Sequence, residues 1–340
     1  MPELRYNVIT HDWVILATER AKRPEEFAKK KDQKVLPPYV PTCPFCPGNE
    51  KMTPPETYVV SDTTLRQSSG SATGWRVRVT PNKFAALAYE GKRDRCIQGV
   101  RRTVSGVGIH EVIVETPDHS NTTARRSDRE MEILNQTYLN RFKAASADPR
   151  VEQVTLFKNH GEAAGTSLEH PHSQLIGTPV ITSQIRDRLI HSLRHFDEFG
   201  ECIFCHVMDL EGQEGTRVVL ESEKFLCFTP FAALTPFSMM IIPRRHMACF
   251  AEINDAEVAD LSKILRRTLA KLSLGLGDPD YNYAFRTAPL EYTGVKYYHW
   301  YVSIIPRLTK MAGFELGSGM FINVSLPEEN AAFLRGILVE

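Results

Sequence analysis

The chain repeats itself once, and that duplication limits its fold more than any other feature of its 340 residues. Cys43-Pro-Phe-Cys46 in the first half returns as Cys202-Ile-Phe-Cys205 in the second. Asn82-Lys-Phe-Ala-Ala-Leu87 returns as Thr229-Pro-Phe-Ala-Ala-Leu234, and Val112 to His119 returns as Met239 to His246. The offset is 159 residues from Cys43 to Cys202, 147 from Phe84 to Phe231, 127 from His119 to His246 and 129 from His170 to His299. A shorter loop region early in the second half accounts for the decrease. Solenoid repeats run at roughly 20–50 residues, so a period this long is a duplicated domain. The expected division is residues 1–180 and 181–340.

Each half has the same order of signals. An apolar, β-branched run closed by proline reads as a strand entering a turn, at Val112 to Pro117 and at Met239 to Pro243. Ser127 stands three before Glu130, and Asn254 three before Glu257, which is the capping-box pattern of a helix start. Met131, Leu134, Tyr138 and Phe142 give the first helix an apolar stripe; Val258, Leu261, Leu265, Leu269 and Leu272 give the second its own. Both stop before Asp-Pro, at Asp148 and Asp278. Strands follow at Val151 to Lys158 and Tyr281 to Thr287, and His170 and His299 open one more strand each. Strand, strand, helix, strand, strand, twice over, predicts an α+β fold of antiparallel sheets, each with a long helix. Lys29 to Pro54, rich in Lys and Pro, reads as an extended loop.

The duplicated residues include two complete sets of metal ligands. Cys43, Cys46, His119 and His170 form one, and Cys202, Cys205, His246 and His299 the other. Two thiolates from a tight turn and two imidazoles complete a tetrahedron, the structural Cys2His2 zinc set, so two Zn2+ per chain are expected. The histidines lie 51 apart in one half and 53 in the other, and this agreement carries the reading. A redox CxxC opens a helix in a thioredoxin-like βαβ unit, a setting read at neither pair. Cys96, Cys227 and Cys249 have no such pattern and are expected as small buried or half-buried residues.

The halves differ where chemistry is expected. The first reads Asn159-His-Gly161-Glu-Ala-Ala-Gly165-Thr-Ser167-Leu-Glu-His170-Pro-His172-Ser-Gln174; the second has Tyr301 two residues past its metal histidine. Positions i and i+2 of a strand share a face, so His172 lies beside His170. Gly161 and Gly165 permit close backbone approach to a phosphate, and Asn159, Ser167 and Gln174 supply uncharged donors. A neutral imidazole is a good nucleophile at phosphorus, and the phosphoramidate it forms is readily attacked again. His172 as a third metal ligand, or as a satisfied strand histidine, is the alternative.

His170-Pro-His172-Ser-Gln174, preceded by Asn159-x-Gly161, resembles the active-site motif of the galactose-1-phosphate uridylyltransferase family, a branch of the histidine-triad superfamily. Arg20-Ala-Lys-Arg23-Pro, Cys43-Pro-Phe-Cys46, Asn82-x-Phe-Ala-Ala-Leu87 and Pro117-Asp-His119-Ser120 are similar to its other signatures, in the same order, from Trp13 to Gly319. The resemblance implies two histidine-triad-like units in a chain that works as a homodimer. It implies His172 as the nucleophile that takes a nucleotidyl group from a nucleotide sugar, with its ring held by the backbone carbonyl of His170. Gln174 and Ser167 would bind phosphate, and Arg20, Arg23, Asn82 and Asn159 would contact the nucleotide. The reaction implied is ping-pong, from UDP-glucose to a hexose 1-phosphate. Bacterial uridylyltransferases have Gly at the position of Ser173 and Asp at that of Lys83, and build their second metal site differently. In these respects the chain looks more like the plant ADP-glucose phosphorylase branch, and a phosphorylase or adenylyltransferase acting on ADP-glucose or a dinucleoside polyphosphate is the alternative. Lys310 and Gly313-Phe-Glu315 loosely resemble the hexose-phosphate-binding segment.

Other classes fit less well. A zinc-dependent nucleic-acid binder is the remote alternative, but gaps of 73 and 41 residues between cysteine and histidine ligands far exceed the ~12 of a zinc finger. Lys and Arg total 41 against 41 Asp and Glu, so no large basic footprint is expected. No apolar segment approaches the ~18 residues of a membrane span. The first residues, MPELRYNVITHDWVIL, lack the pattern of a signal peptide, so a cytoplasmic setting with reduced cysteines is expected.

Overall fold

The computed structural model describes residues 1–18, 23–28, 36–61 and 74–339. One ten-stranded antiparallel sheet runs through both halves. The first half contributes β3 (Tyr58–Ser61), β4 (Trp75–Pro81), β7 (Ile109–Val114), β8 (Gln153–His160) and β9 (His172–Thr178). The second contributes β10 (Val218–Glu221), β11 (Phe225–Phe228), β12 (Met239–Pro243), β13 (Tyr281–Arg286) and β14 (Tyr301–Pro306). Their order is β10-β11-β12-β14-β13-β8-β9-β7-β4-β3, which reads the same from either edge once each strand is exchanged for its counterpart. The halves join at the middle, where β8 pairs with β13 and Asn159 faces Asn282. A three-stranded sheet of β1 (Glu3–Tyr6), β2 (Trp13–Leu16) and β15 (Phe321–Asn323) and an exposed hairpin of β5 (Arg95–Gln98) and β6 (Arg101–Val104) lie outside it.

The two foreseen helices lie against this sheet. In α1 (Asp128–Ser146), Ser127 Oγ accepts from the Glu130 amide and Glu130 returns a bond to the Ser127 amide. In α4 (Asp255–Leu276), Asn254 and Glu257 do the same. All nine residues of the two apolar stripes are buried in one core with strand residues of both halves. The helices also touch each other, through Asn135 to Ser262 at 3.0 Å and Arg266 to Asp128 at 2.6 Å. No described helix is long and apolar enough to cross a membrane.

Several expectations need correction. Among the described residues each half places three strands of the ten-stranded sheet before its long helix, not two. His170 and His299 stand two residues before β9 and β14 instead of opening them. Two helices, α2 (Ser183–Phe199) and α3 (Ile203–Glu214), and the terminal α5 (Gly313–Ser318) and α6 (Pro327–Gly336) were not foreseen. Cys202 is the N-cap of α3, so the second cysteine pair does open a helix. Gly200 ends α2 with φ +75°, and burial of Ile203, Phe204 and Met208 starts the next helix at once. Cys96 is exposed on the β5 hairpin, whereas Cys227 and Cys249 are buried as expected.

Candidate active site

Both Cys2His2 sets converge. In each, the four ligand atoms lie within 4.8 Å of one another. In the first, Cys46 Sγ is 3.5 Å from His119 Nδ1 and 3.6 Å from His170 Nδ1, and Cys43 Sγ is 3.7 Å from His170 Nδ1. In the second, Cys205 Sγ is 3.3 Å from His246 Nδ1 and 3.4 Å from His299 Nδ1. A tetrahedral zinc with ordinary bond lengths puts sulfur and nitrogen about 3.6 Å apart, so both cages have the right size. The second ring nitrogen of His170 donates to the Thr116 carbonyl at 2.7 Å, and that of His246 to Val295 at 2.9 Å, which turns Nδ1 toward the ion. Burial lowers the His170 pKa to about 4, so the ring is neutral and ready to ligate.

Immediately beyond the first cage, Pro171 leads into β9. Cross-strand pairs share a face, and Val112 pairs with Gln174, Val114 with His172 and Phe157 with Gln174. His172 and Gln174 therefore lie on the face away from α1, while Ser173 points toward it. His172 is buried, with Phe45 edge-on at 5.3 Å. Its Nδ1 lies 2.8 Å from the His170 carbonyl oxygen. Since a carbonyl only accepts, Nδ1 carries the proton and the lone pair is on Nε2. Burial, with Lys158 behind the strand, keeps the ring pKa below its ordinary value.

Gln174 is oriented by a residue the sequence reading did not single out. The Ala86 amide donates to His110 Nδ1 at 3.0 Å, so the His110 proton is on Nε2. That N–H donates to Gln174 Oε1 at 2.9 Å, and Asn82 Nδ2 lies 3.5 Å from the same oxygen. With donors on its oxygen, Gln174 turns its NH2 outward. Asn159 is set the same way, its Oδ1 accepting from Asn282 Nδ2 at 2.8 Å. His110 lies on β7 two residues before Val112, so strict alternation was a signal for it; Asn282 gave none without the β8–β13 register.

The loop between β8 and β9 carries the two glycines. Gly161 has φ +82°, and a Cβ there would meet Asp280 Oδ1 at 2.1 Å; Gly165 has φ +88°. Asp280 Oδ2 accepts from the Ala163 amide at 2.7 Å and holds the loop. Ser167 is exposed on this loop near Asn159 in sequence. Arg23 is an exposed N-cap of the turn Pro24–Phe27, which docks on the second half with Phe27 against Phe237, and not among the β9 residues. Arg20 lies outside the described residues.

Beneath Ser173, between the sheet and α1, is a buried ionic cluster. Glu115 accepts from Lys158 at 2.6 Å, Arg126 at 3.0 Å and Tyr138 at 3.1 Å, and also from Ser173. Tyr138 bonds Tyr283 at 2.8 Å, which ties α1 to β13. Against the penalty of burial, Lys158 and Arg126 hold the Glu115 pKa down to about 2.

The chain matches known proteins along its length. Residues 1–182 match the family model for the galactose-1-phosphate uridyl transferase N-terminal domain, and 188–323 the model for its C-terminal domain. The chain is 34% identical to ADP-glucose phosphorylase of Arabidopsis thaliana, over 99% of this chain and 93% of that one. It is 30% identical to galactose-1-phosphate uridylyltransferase of Thermotoga maritima, over the whole of both. Among solved structures, the Arabidopsis ADP-glucose phosphorylase with bound ADP-glucose superposes with a TM-score of 0.81 at 30% identity over both full chains. A uridylyltransferase structure superposes at 0.74, with 25% identity over 98% of this chain and 97% of that one. With both domain models and full-length relatives matched, the chain belongs to the galactose-1-phosphate uridylyltransferase family of nucleotidyltransferases.

Proposed function

We propose that this enzyme transfers a nucleoside monophosphate through a covalent intermediate on His172. The carrying observation is the 2.8 Å bond from His172 Nδ1 to the His170 carbonyl, which leaves the Nε2 lone pair free. Nε2 attacks the α-phosphorus of a nucleotide sugar, the bond to the bridging oxygen breaks, and sugar 1-phosphate leaves. The ring becomes a cation as the N–P bond forms, and the His170 carbonyl stabilises the Nδ1 proton. An incoming phosphate oxygen then attacks phosphorus and regenerates His172. The outward amide of Gln174, with Asn82, Asn159, Ser167 and the Gly161 backbone, donates to the phosphate oxygens; Arg20 is the remaining nucleotide contact that the family resemblance implies.

UDP-glucose and a hexose 1-phosphate, galactose 1-phosphate above all, are the substrates favoured by the activity for which the family is named. ADP-glucose with phosphate is the second reading, favoured by the 34% identity to the plant phosphorylase. Two structural Zn2+ per chain belong to the proposal, supported by the size of both cages. So do a division at residues 180/181 into two histidine-triad-like units, a homodimer, and a cytoplasmic setting, the last supported by seven unpaired cysteines. Intact-mass measurement after incubation with UDP-glucose or ADP-glucose tests the reading. A UMP adduct supports the first pair and an AMP adduct the second. No adduct, or an adduct retained in His172→Ala, refutes the covalent route.

A further inference from the structure

The second half helps to build the glycine loop of the first. Asn159 on β8 faces Asn282 on β13, the neighbouring strand. Asn282 uses both polar atoms of its side chain. Its Nδ2 donates to Asn159 Oδ1 at 2.8 Å and to the Ala164 carbonyl at 2.9 Å, and its Oδ1 accepts from Arg307 Nε at 2.5 Å. A guanidinium only donates and a backbone carbonyl only accepts, so these two partners fix which way the Asn282 amide points. Asn159 is fixed in turn. Its oxygen is taken by Asn282, and its Nδ2 lies on the side of Gly165, where a Cβ would come within 3.8 Å of it.

Arg307 stands at the far end of this chain of amides. It is the first residue after β14, and its amide donates to the Asp280 carbonyl at 2.7 Å, so its backbone is tied to the residue that precedes β13. A hydrogen bond from a charged donor is stronger than one between neutral groups, and a charge at one end of such a chain polarises each member. Arg307 therefore occupies the Asn282 oxygen and makes the Asn159 NH2 a better donor. The side chain is exposed, so replacing it disturbs no core packing. The duplication does not repeat the arrangement. In the repeat register, Thr155 and Thr178 of the first half stand where Asn282 and Arg307 stand in the second. Threonine has one side-chain donor hydrogen where Asn282 uses two, and the Thr178 hydroxyl donates to the Val180 carbonyl at 2.8 Å. The set occurs once, aimed at the half that carries His172.

We propose that Arg307 is a positioning residue for the first half: acting through Asn282, it holds the Asn159 amide and the Ala164 carbonyl of the glycine loop in the arrangement that receives a phosphate. This role rests on the reading in which Asn159 donates to phosphate during transfer through His172.

The full, zinc-loaded chain is followed in single turnovers with UDP-glucose and with ADP-glucose, the adduct being measured by intact mass at several substrate concentrations. Arg307→Met should slow the limiting rate about tenfold at an unchanged melting temperature, and Arg307→Lys, which keeps a charged donor, should recover most of that loss. In an Asn159→Ala background, Arg307→Met should slow the reaction no further, because the amide it acts through is gone. A limiting rate equal to wild type in Arg307→Met, or an equal further loss in the Asn159→Ala background, overturns the proposal. A second readout needs no turnover. With asparagine isotopically labelled in its side-chain nitrogen, the NMR signals of the Asn159 and Asn282 NH2 groups are assigned by their loss in Asn159→Ala and Asn282→Leu. Arg307→Met should shift both and speed their exchange with water. Wild-type shifts and exchange in Arg307→Met overturn the proposal even if neither nucleotide sugar gives an adduct, an outcome that counts separately against His172.

Discussion

Replacing Glu115 by Gln is the most informative single test of how the sheet is held under the nucleophile. The side chain keeps its size but loses its charge, which leaves Lys158 and Arg126 buried with no counter-charge. Moving the Glu115 pKa from 4.5 to about 2 favours the ionised carboxyl in the folded state by about 3 kcal/mol. Breaking a buried ion pair from one side costs about 3–5 kcal/mol. We therefore expect Glu115→Gln to lose about 3 kcal/mol at pH 7, a large part of a typical stability of roughly 5–15. Urea unfolding followed by tryptophan fluorescence, with zinc constant, measures it. A depressed carboxylate contributes fully above its unfolded pKa, near 4.5, and the contribution fades as pH falls toward 2. The gap between wild type and variant should thus be full at pH 7 and narrow steadily below pH 4.5. Adding Lys158→Met to Glu115→Gln removes the stranded lysine and should recover part of the loss. A gap below about 1 kcal/mol at pH 7, or one that persists unchanged into acid, would refute this account of the cluster.

Other perturbations test the site directly. His110→Leu removes the donor that orients Gln174 and should slow single-turnover adduct formation about tenfold, with His110→Gln restoring part of it; equal rates in His110→Leu and wild type would sink the role. Gly161→Ala forces a Cβ to within 2.1 Å of Asp280 Oδ1 at φ +82°, and should abolish adduct formation without a comparable loss of melting temperature. Cys46→Ser should reduce zinc from two to one per chain by elemental analysis and lower the melting temperature, as should Cys205→Ser; unchanged metal content in both would exclude these cages.

The parts of the molecule legible in the sequence are those whose signals are local or duplicated. Ser127 and Asn254 announce α1 and α4 because a capping box lies within four residues. The metal sets were legible because two independent copies of a loose pattern make a tight one. α2 carries the buried Ile185 and Leu189 but has no counterpart helix among the described residues of the first half, so the repeat does not point to it. The exposed β5 hairpin has no core face to pattern it. Groups that act across strands were hidden for a different reason. Glu115 meets Lys158 from 43 residues away and Asn159 meets Asn282 from 123, and only strand register brings such residues together.

Register also shows how one repeated face comes to carry different side chains. The strand order and the Cys2His2 sets are repeated in the two halves, so the strands of each half present side chains at matching positions. In the first half these positions carry an imidazole and uncharged amides. Neutral donors stabilise charge as it develops without binding the ground-state phosphate so tightly that the sugar phosphate is slow to leave. In the second half the position of Asn159 is Arg286 and that of His172 is Tyr301, a phenol in place of an imidazole. Exchange of Asn159 for Arg286, together with His172 for Tyr301, leaves the proposed histidine chemistry to the first half alone.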